Sequence, residues 1–199
     1  MKKVLITGGN GVLAQYVKKS FTDYQVLAPG HKELDITNDR LINSFFEKNS
    51  PEIVLHLAAK TNVDECEKSP EEAFLVNGDG TKNIAEVCKK TGSLLVYIST
   101  AAVFDGNKEV FYEEDEPDPV NTYGKSKLQG EKYIQEVLES FLIVRAAWLI
   151  GGGKKEKKFV SYVVGQLNKG TKEIKAVSDK YGTITYAKEL ADLIKELVL

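Results

Sequence analysis

Apolar residues along the chain gather into short β-rich runs separated by stretches of helical period. Runs at 3–7, 25–28, 52–58, 93–99, 141–146 and 173–177 predict strands. Amphipathic stretches at 12–21, 39–48, 70–91, 122–138, 158–169 and 187–198 predict the helices between them. Val4-Leu5-Ile6 and Leu94-Leu95-Val96-Tyr97-Ile98 are apolar at successive positions, so both faces of these strands are expected to be covered. Alternating β and α units with buried strands predict an α/β fold built on a doubly wound parallel (Rossmann) sheet, with residues 1–199 as a single domain. Two segments break the pattern: 105–120, acidic with two prolines, and 151–158, glycines followed by lysines. Both are expected at carboxyl ends of strands, where ligands bind in this architecture.

Composition narrows the function classes. The chain is 42% hydrophobic and 28% charged, as an ordinary soluble globular protein is. A net charge of -2 offers no electrostatic reason to expect nucleic acid or an anionic membrane as partner. The apolar stretch after Met1-Lys2-Lys3 is too short for a signal peptide or a membrane span, which predicts a cytoplasmic protein. Cys66 and Cys88 lack metal-ligand spacing and are expected to be reduced and structural; no metal site is predicted.

The first strand runs into Thr7-Gly8-Gly9-Asn10-Gly11-Val12-Leu13-Ala14. Gly8 permits the tight turn, Gly11 lets backbone approach a pyrophosphate, and Ala14 is small enough for close helix–strand packing. A glycine loop that follows the first strand and opens a helix predicts dinucleotide binding. The second strand leads to Pro29-Gly30-His31-Lys32. A carboxylate there would hold the adenosine ribose diol of NAD(H). His31 and Lys32 would instead meet a 2′-phosphate, so NADP(H) is favoured and NAD(H) is the alternative. A solvated loop with incidental charges remains the competing reading. Asp35 and Ile36 fit an adenine-facing turn.

Tyr123 and Lys127 stand four apart on a predicted helix and share one face. When hydride reaches a carbonyl carbon, a proton must reach the oxygen. A tyrosine serves as general acid when a neighbouring ammonium lowers its pKa of about 10. The same ammonium can hold nicotinamide ribose hydroxyls. Ser99 and Thr100 end the preceding strand and offer a hydroxyl to the same carbonyl oxygen.

Together these residues resemble the extended short-chain dehydrogenase/reductases, and within them the dTDP-4-dehydrorhamnose reductases. The likeness continues through Leu34-Asp35-Ile36-Thr37, Ala58 to Asp64, Val76-Asn77, Asn83-Ile84-Ala85, Val103-Phe104-Asp105-Gly106, Gly130-Glu131, Val144-Arg145 and Thr185-Tyr186-Ala187. It implies a catalytic triad of Thr100, Tyr123 and Lys127. It implies an NADP(H) site lined by Gly8, Gly11, Val12, Leu13, Asp35, Ile36, Ala58, Ala59, Lys60 and Thr61, besides Tyr123 and Lys127. Trp148 would pack against a nucleotide-sugar substrate. The implied reaction, in dTDP-rhamnose biosynthesis, reduces the C4 ketone of a dTDP-4-keto-6-deoxy sugar.

Some positions depart from the family. Ala101-Ala102 stand where it usually carries Asp-Tyr, and Ala146-Ala147 where Thr-Ser precede the tryptophan. A pocket stripped of hydrogen-bonding groups recognises a different sugar or none. The family usually continues beyond the region of Thr185-Tyr186, so a shortened or incomplete carboxyl-terminal substrate lobe is expected, with its elements around 148–170. A non-catalytic NADP-binding regulatory subunit and a sugar-nucleotide epimerase or dehydratase are the alternative functions, and a homo-oligomer is compatible with all three.

Overall fold

Five strands, each buried or half-buried over nearly all its length, meet in one parallel sheet: β1 (Lys3–Thr7), β2 (Gln25–Leu27), β3 (Ile53–His56), β4 (Leu94–Thr100) and β5 (Phe141–Ala146). The computed structural model describes residues 1–153 and 159–199. Strand order is β2-β1-β3-β4-β5, with Val4 beside Ile53, Ile53 beside Leu94, and Tyr97 beside Ile143.

Alternation along each strand divides the core into two layers. Val4, Ile6, Leu55 and Val96 face α1 (Val12–Ser20) and α8 (Ala187–Leu197), which contribute Leu13, Ala14, Val17, Leu190, Ala191 and Ile194. Leu5, Val54, Leu95 and Tyr97 face α2 (Asp39–Asn49), α5 (Gly80–Thr91) and α6 (Thr122–Val137), which contribute Ile42, Phe46, Ile84, Cys88 and Ile134. Helices on both faces make the sheet doubly wound. Both cysteines are free and buried. No helix among the described residues is long and apolar enough to cross a membrane.

Asparagines begin three helices by the same device. Asn38, Asn62 and Asn121 accept the amides of Leu41, Glu65 and Gly124, at the starts of α2, α3 (Val63–Lys68) and α6. Six residues with one buried side chain, Cys66, are too few to show a helical period, so α3 escapes pattern reading. The expected helix at 70–91 begins as α4 (Pro70–Phe74) and ends as α5, but a π-helical turn at Leu75–Asp79 widens it between.

No strand forms at 173–177, where Val177 is exposed. A second sheet instead pairs β6 (Trp148–Ile150) in parallel with β7 (Ile184–Tyr186), Trp148 beside Ile184. Residues 184–186 occupy the edge of β6, and short half-exposed strands of this kind carry little local signal. Helix α7 (Phe159–Asn168) realises the expectation at 158–169 apart from residue 158, which lies with 154–157 outside the described residues. The segment 105–120 is irregular, as expected, and follows β4.

The order of strands reverses between β1 and β3, and a crevice at their carboxyl ends is where such sheets take ligands. The loop 8–11 after β1 and residues 57–61 after β3 frame it.

Candidate active site

At the end of β1, Gly8 turns with φ 69°, and a Cβ there would sit 2.9 Å from the Ala58 Cα. Gly11 donates its amide to the Gly8 carbonyl at 2.9 Å and precedes α1 without any side-chain cap or acidic residue in the first turn. The amides that open α1 are thus left for an anion, with the helix dipole behind them. Leu13 and Ala14 are buried against the sheet, and Val12 packs beside them. This cradle of small residues fits a pyrophosphate.

A buried relay fixes the crevice wall. The Ala58 amide donates to Thr7 Oγ1 at 3.1 Å, and that hydroxyl is 2.7 Å from His56 Nδ1. His56 Nε2 is 3.1 Å from Thr81 Oγ1, which donates to the Asn77 carbonyl at 2.7 Å. Since Thr81 spends its proton on Asn77, Nε2 carries the imidazole hydrogen and Nδ1 accepts from Thr7. Complete burial pushes the His56 pKa down to about 3, and the Lys127 charge adds to this, so the ring stays neutral.

At the adenosine end, Asp35 accepts the Thr37 amide at 2.9 Å and the Thr37 hydroxyl at 2.8 Å. Burial raises the Asp35 pKa, but the Thr37 hydrogen bonds and the nearby His31 outweigh it and hold the carboxyl below its ordinary value. Ile36 is buried, its carbonyl accepting from Asn83 Nδ2 at 3.1 Å and its side chain filling the space beside Gly80. His31 lies 3.9 Å from Asp35, and both His31 and Lys32 are exposed. The amide of Gly30 donates to Glu33 at 2.8 Å. A carboxylate, Glu33, therefore stands in the loop after β2, engaged by backbone.

Ala58, Ala59 and Lys60 are half-buried and Thr61 is exposed. Asn77, in the π-helical turn, clamps this loop: its Oδ1 accepts the Lys60 amide at 2.8 Å, and its Nδ2 donates to the Lys60 carbonyl at 3.0 Å and to Ser126 Oγ at 2.9 Å. Ser126 in turn donates to the Tyr123 carbonyl at 2.9 Å. The Lys60 side chain pairs with Glu72.

Thr100, Tyr123 and Lys127 converge at the carboxyl end of β4. Thr100 Oγ1 accepts the Ala102 amide at 3.2 Å, beginning a 3-10 turn over Ala101–Val103, and lies near enough to the Tyr123 phenol to influence its ionisation. Burial raises the Tyr123 pKa, Thr100 works against it, and Cys66 nearby adds to the rise. The expected lowering by Lys127 is not found. The Lys127 ammonium donates instead to the Ile98 carbonyl at 2.8 Å and lies 3.9 Å over the Tyr97 ring. Burial pushes its own pKa down to about 7, opposed by Glu131. Strand alternation separates Ser99 from Thr100: the Ser99 hydroxyl is buried without a partner and does not share the Thr100 position.

Around the mouth, Ala101 is exposed and Ala102 and Ala147 half-buried. The Ala102 carbonyl lies where a Cβ on Gly124 would be, 2.1 Å away, so the turn is seated on the start of α6. Trp148 is half-exposed, its ring against Gly182. Sequence reasoning missed the parts played by His56, Asn77, Glu131 and Arg145. His56 sits unmarked inside an apolar run, and the others showed only as family-like text.

The description "RmlD substrate binding domain" matches residues 1–199. The chain is 36% identical over 200 residues to the spore coat polysaccharide biosynthesis protein SpsK of Bacillus subtilis, covering 99% of this chain and 70% of that protein. It is 33% identical to a dTDP-4-dehydrorhamnose reductase of Aggregatibacter actinomycetemcomitans, covering 99% and 67%. The crystal structure of the Bacillus anthracis dTDP-4-dehydrorhamnose reductase in complex with NADP superposes with a TM-score of 0.92 at 36% identity, covering 100% of this chain and 71% of that one. Among the first curated relatives the chain spans between 52% and 70% of their length.

Proposed function

The chain belongs to the RmlD substrate binding domain family, and from that premise we propose that it is a cytoplasmic NADP(H)-dependent reductase of the C4 ketone of a dTDP-4-keto-6-deoxy sugar. Residues 1–199 act as one dinucleotide-binding domain, with substrate-lobe elements around 148–170. The observation that carries the reading is the meeting of Thr100 at the end of β4 with Tyr123, one helical turn from the buried Lys127, beside the crevice.

Gly8, Gly11, Val12 and Leu13 hold the pyrophosphate, Asp35 and Ile36 the adenine, and Ala58 to Thr61 the middle of the dinucleotide. His31 and Lys32 supply exposed polar groups for a 2′-phosphate. When bound, NADPH supplies the hydride. Burial keeps Tyr123 protonated at neutral pH, as a proton donor must be. The Thr100 hydroxyl, anchored by the Ala102 amide, orients the phenol toward the ketone oxygen and steadies the phenolate once the proton has gone. Lys127 meets the ribose hydroxyls, and Trp148 flanks the sugar.

Ala101, Ala102 and Ala147 favour a second reading, a cofactor-binding subunit without turnover. NADPH absorbance followed with dTDP-4-keto-6-deoxy sugar separates the two. Turnover by the wild type that disappears in Tyr123→Phe supports the reductase; tight NADPH binding without turnover supports the second reading. Turnover unchanged in Tyr123→Phe removes the proton-donor assignment. A ratio of NADPH to NADH affinity unchanged in Lys32→Ala removes the 2′-phosphate assignment.

A further inference from the structure

Lys127 and Glu131 are one turn apart on α6, and both are 1% exposed. The Glu131 carboxylate is engaged from β5 by Arg145, whose Nε lies 3.1 Å from Oε1 and 3.3 Å from Oε2, and whose Nη2 lies 2.7 Å from Oε2. The guanidinium sits 5.0 Å over the Phe104 ring, and the Arg145 side chain keeps 22% of its exposure. Arg145 is beside Ser99 in the sheet, while Lys127 donates to the carbonyl of the preceding residue, Ile98. Charge thus alternates from Lys127 to Glu131 along α6 and on to Arg145 on β5.

The other groups around Lys127 cannot replace the carboxylate. Tyr97 on β4 offers its ring face, and burial raises its phenol pKa far above the usual range. His56 on β3 stacks on Tyr97 and is neutral. α6 itself brings Tyr123, which burial keeps protonated. A buried ammonium among neutral acceptors sheds its proton, whereas a nearby carboxylate favours the charged form.

We propose that Glu131 is a positioning residue for cofactor binding: Arg145 fixes its carboxylate one turn from Lys127 on α6, where it favours the charged ammonium that meets the dinucleotide. This rests on the reading of Lys127 as a cofactor-binding residue. The same arrangement sets limits on the gain. Arg145 neutralises part of the Glu131 charge, so Lys127 is held near the edge of ionisation rather than deep within it, in line with the opposing effects of burial and Glu131 on this group.

The test is a pH titration of the protein carrying [ε-13C]lysine, with the Lys127 signal identified by its loss in Lys127→Met. In Glu131→Gln the Lys127 midpoint falls by about one pH unit, and NADPH affinity at pH 7.5 drops several-fold. In Arg145→Gln the exposed carboxylate charge moves the midpoint up, and Glu131→Asp keeps it near the wild-type value. A midpoint that stays put in a folded Glu131→Gln, or moves the same way in both neutral variants, overturns the proposal. Should Glu131→Gln fail to fold, the upward movement in Arg145→Gln decides, and its absence is equally fatal. The titration needs no sugar substrate, so a chain that never reduces a ketone fails the reductase reading and leaves this result standing.

Discussion

Asn77 donates to the Ser126 hydroxyl at 2.9 Å, and through that bond one side chain joins the loop after β3 to the helix that carries Tyr123. The same amide pairs with both backbone groups of Lys60. The π-helical turn turns Asn77 inward to reach all three partners, a use of this rare geometry that recurs at functional sites.

Replacing Asn77 by alanine leaves the Lys60 amide and carbonyl without their partner. Stability is expected to fall by about 1–3 kcal/mol, and NADPH affinity with it, as the loop 58–61, proposed to meet the cofactor, loosens. Urea unfolding and a fluorescence titration of NADPH measure the two. Unchanged affinity in a destabilised variant would show that the clamp serves only the fold.

Gly8→Ala places a Cβ 2.9 to 3.2 Å from the backbone of Leu57 and Ala58 at a φ of 69°. Strain of this kind costs about 1–3 kcal/mol. The β1–β3 crevice must open to relieve it, so melting temperature and NADPH binding should fall together. A variant that binds NADPH like the wild type would contradict the cradle.

His56 sets an acid limb to stability. Its pKa is about 3 in the folded protein against 6.5 for the free side chain. Between these values the unfolded chain takes up a proton that the folded one refuses. Stability from this group is complete above pH 6.5 and is lost as pH falls toward 3, at no more than about 1.4 kcal/mol per pH unit. His56→Asn should be less stable at pH 7 yet shallower in its decline, as urea unfolding between pH 4.5 and 8 would show. Parallel curves would refute the assignment.

Glu67 on α3 accepts the Thr122 amide at 2.6 Å and the Thr122 hydroxyl at 2.9 Å, docking onto the residue before Tyr123. These two bonds, the amide first, hold the carboxyl below its ordinary value, so the docking is present above about pH 4.5 and lost as pH falls through the lowered value. Glu67→Ala should melt almost like the wild type while kcat falls several-fold at unchanged KM, because a small misplacement of a reacting group is costly. Glu67→Asp should recover part of the loss. A kcat equal to wild type would mean that α3 does not seat Tyr123.

Much of this was legible in the residue order. The five strands of the main sheet, the glycine turn at Gly8, the small Ala14 and the shared face of Tyr123 and Lys127 are local patterns, decided by periods of two and 3.6 residues. The strand expected at 173–177 was wrong because an apolar run needs an edge to pair with, and 184–186 holds the edge of β6. Spacing likewise placed Tyr123 and Lys127 on one face, but the Ile98 carbonyl and Tyr97 ring decided where the ammonium points.

The residue order by itself thus determined the α/β class, the glycine loop after β1 and the family likeness. Only the tertiary structure decided which polar groups meet: His56 with Thr7 and Thr81, Asn77 with Lys60 and Ser126, Glu131 with Arg145. These partners lie 14 to 49 positions apart in the chain. Local periodicity is silent over such distances, and burial then requires every donor and acceptor to find a partner that only the folded sheet brings near.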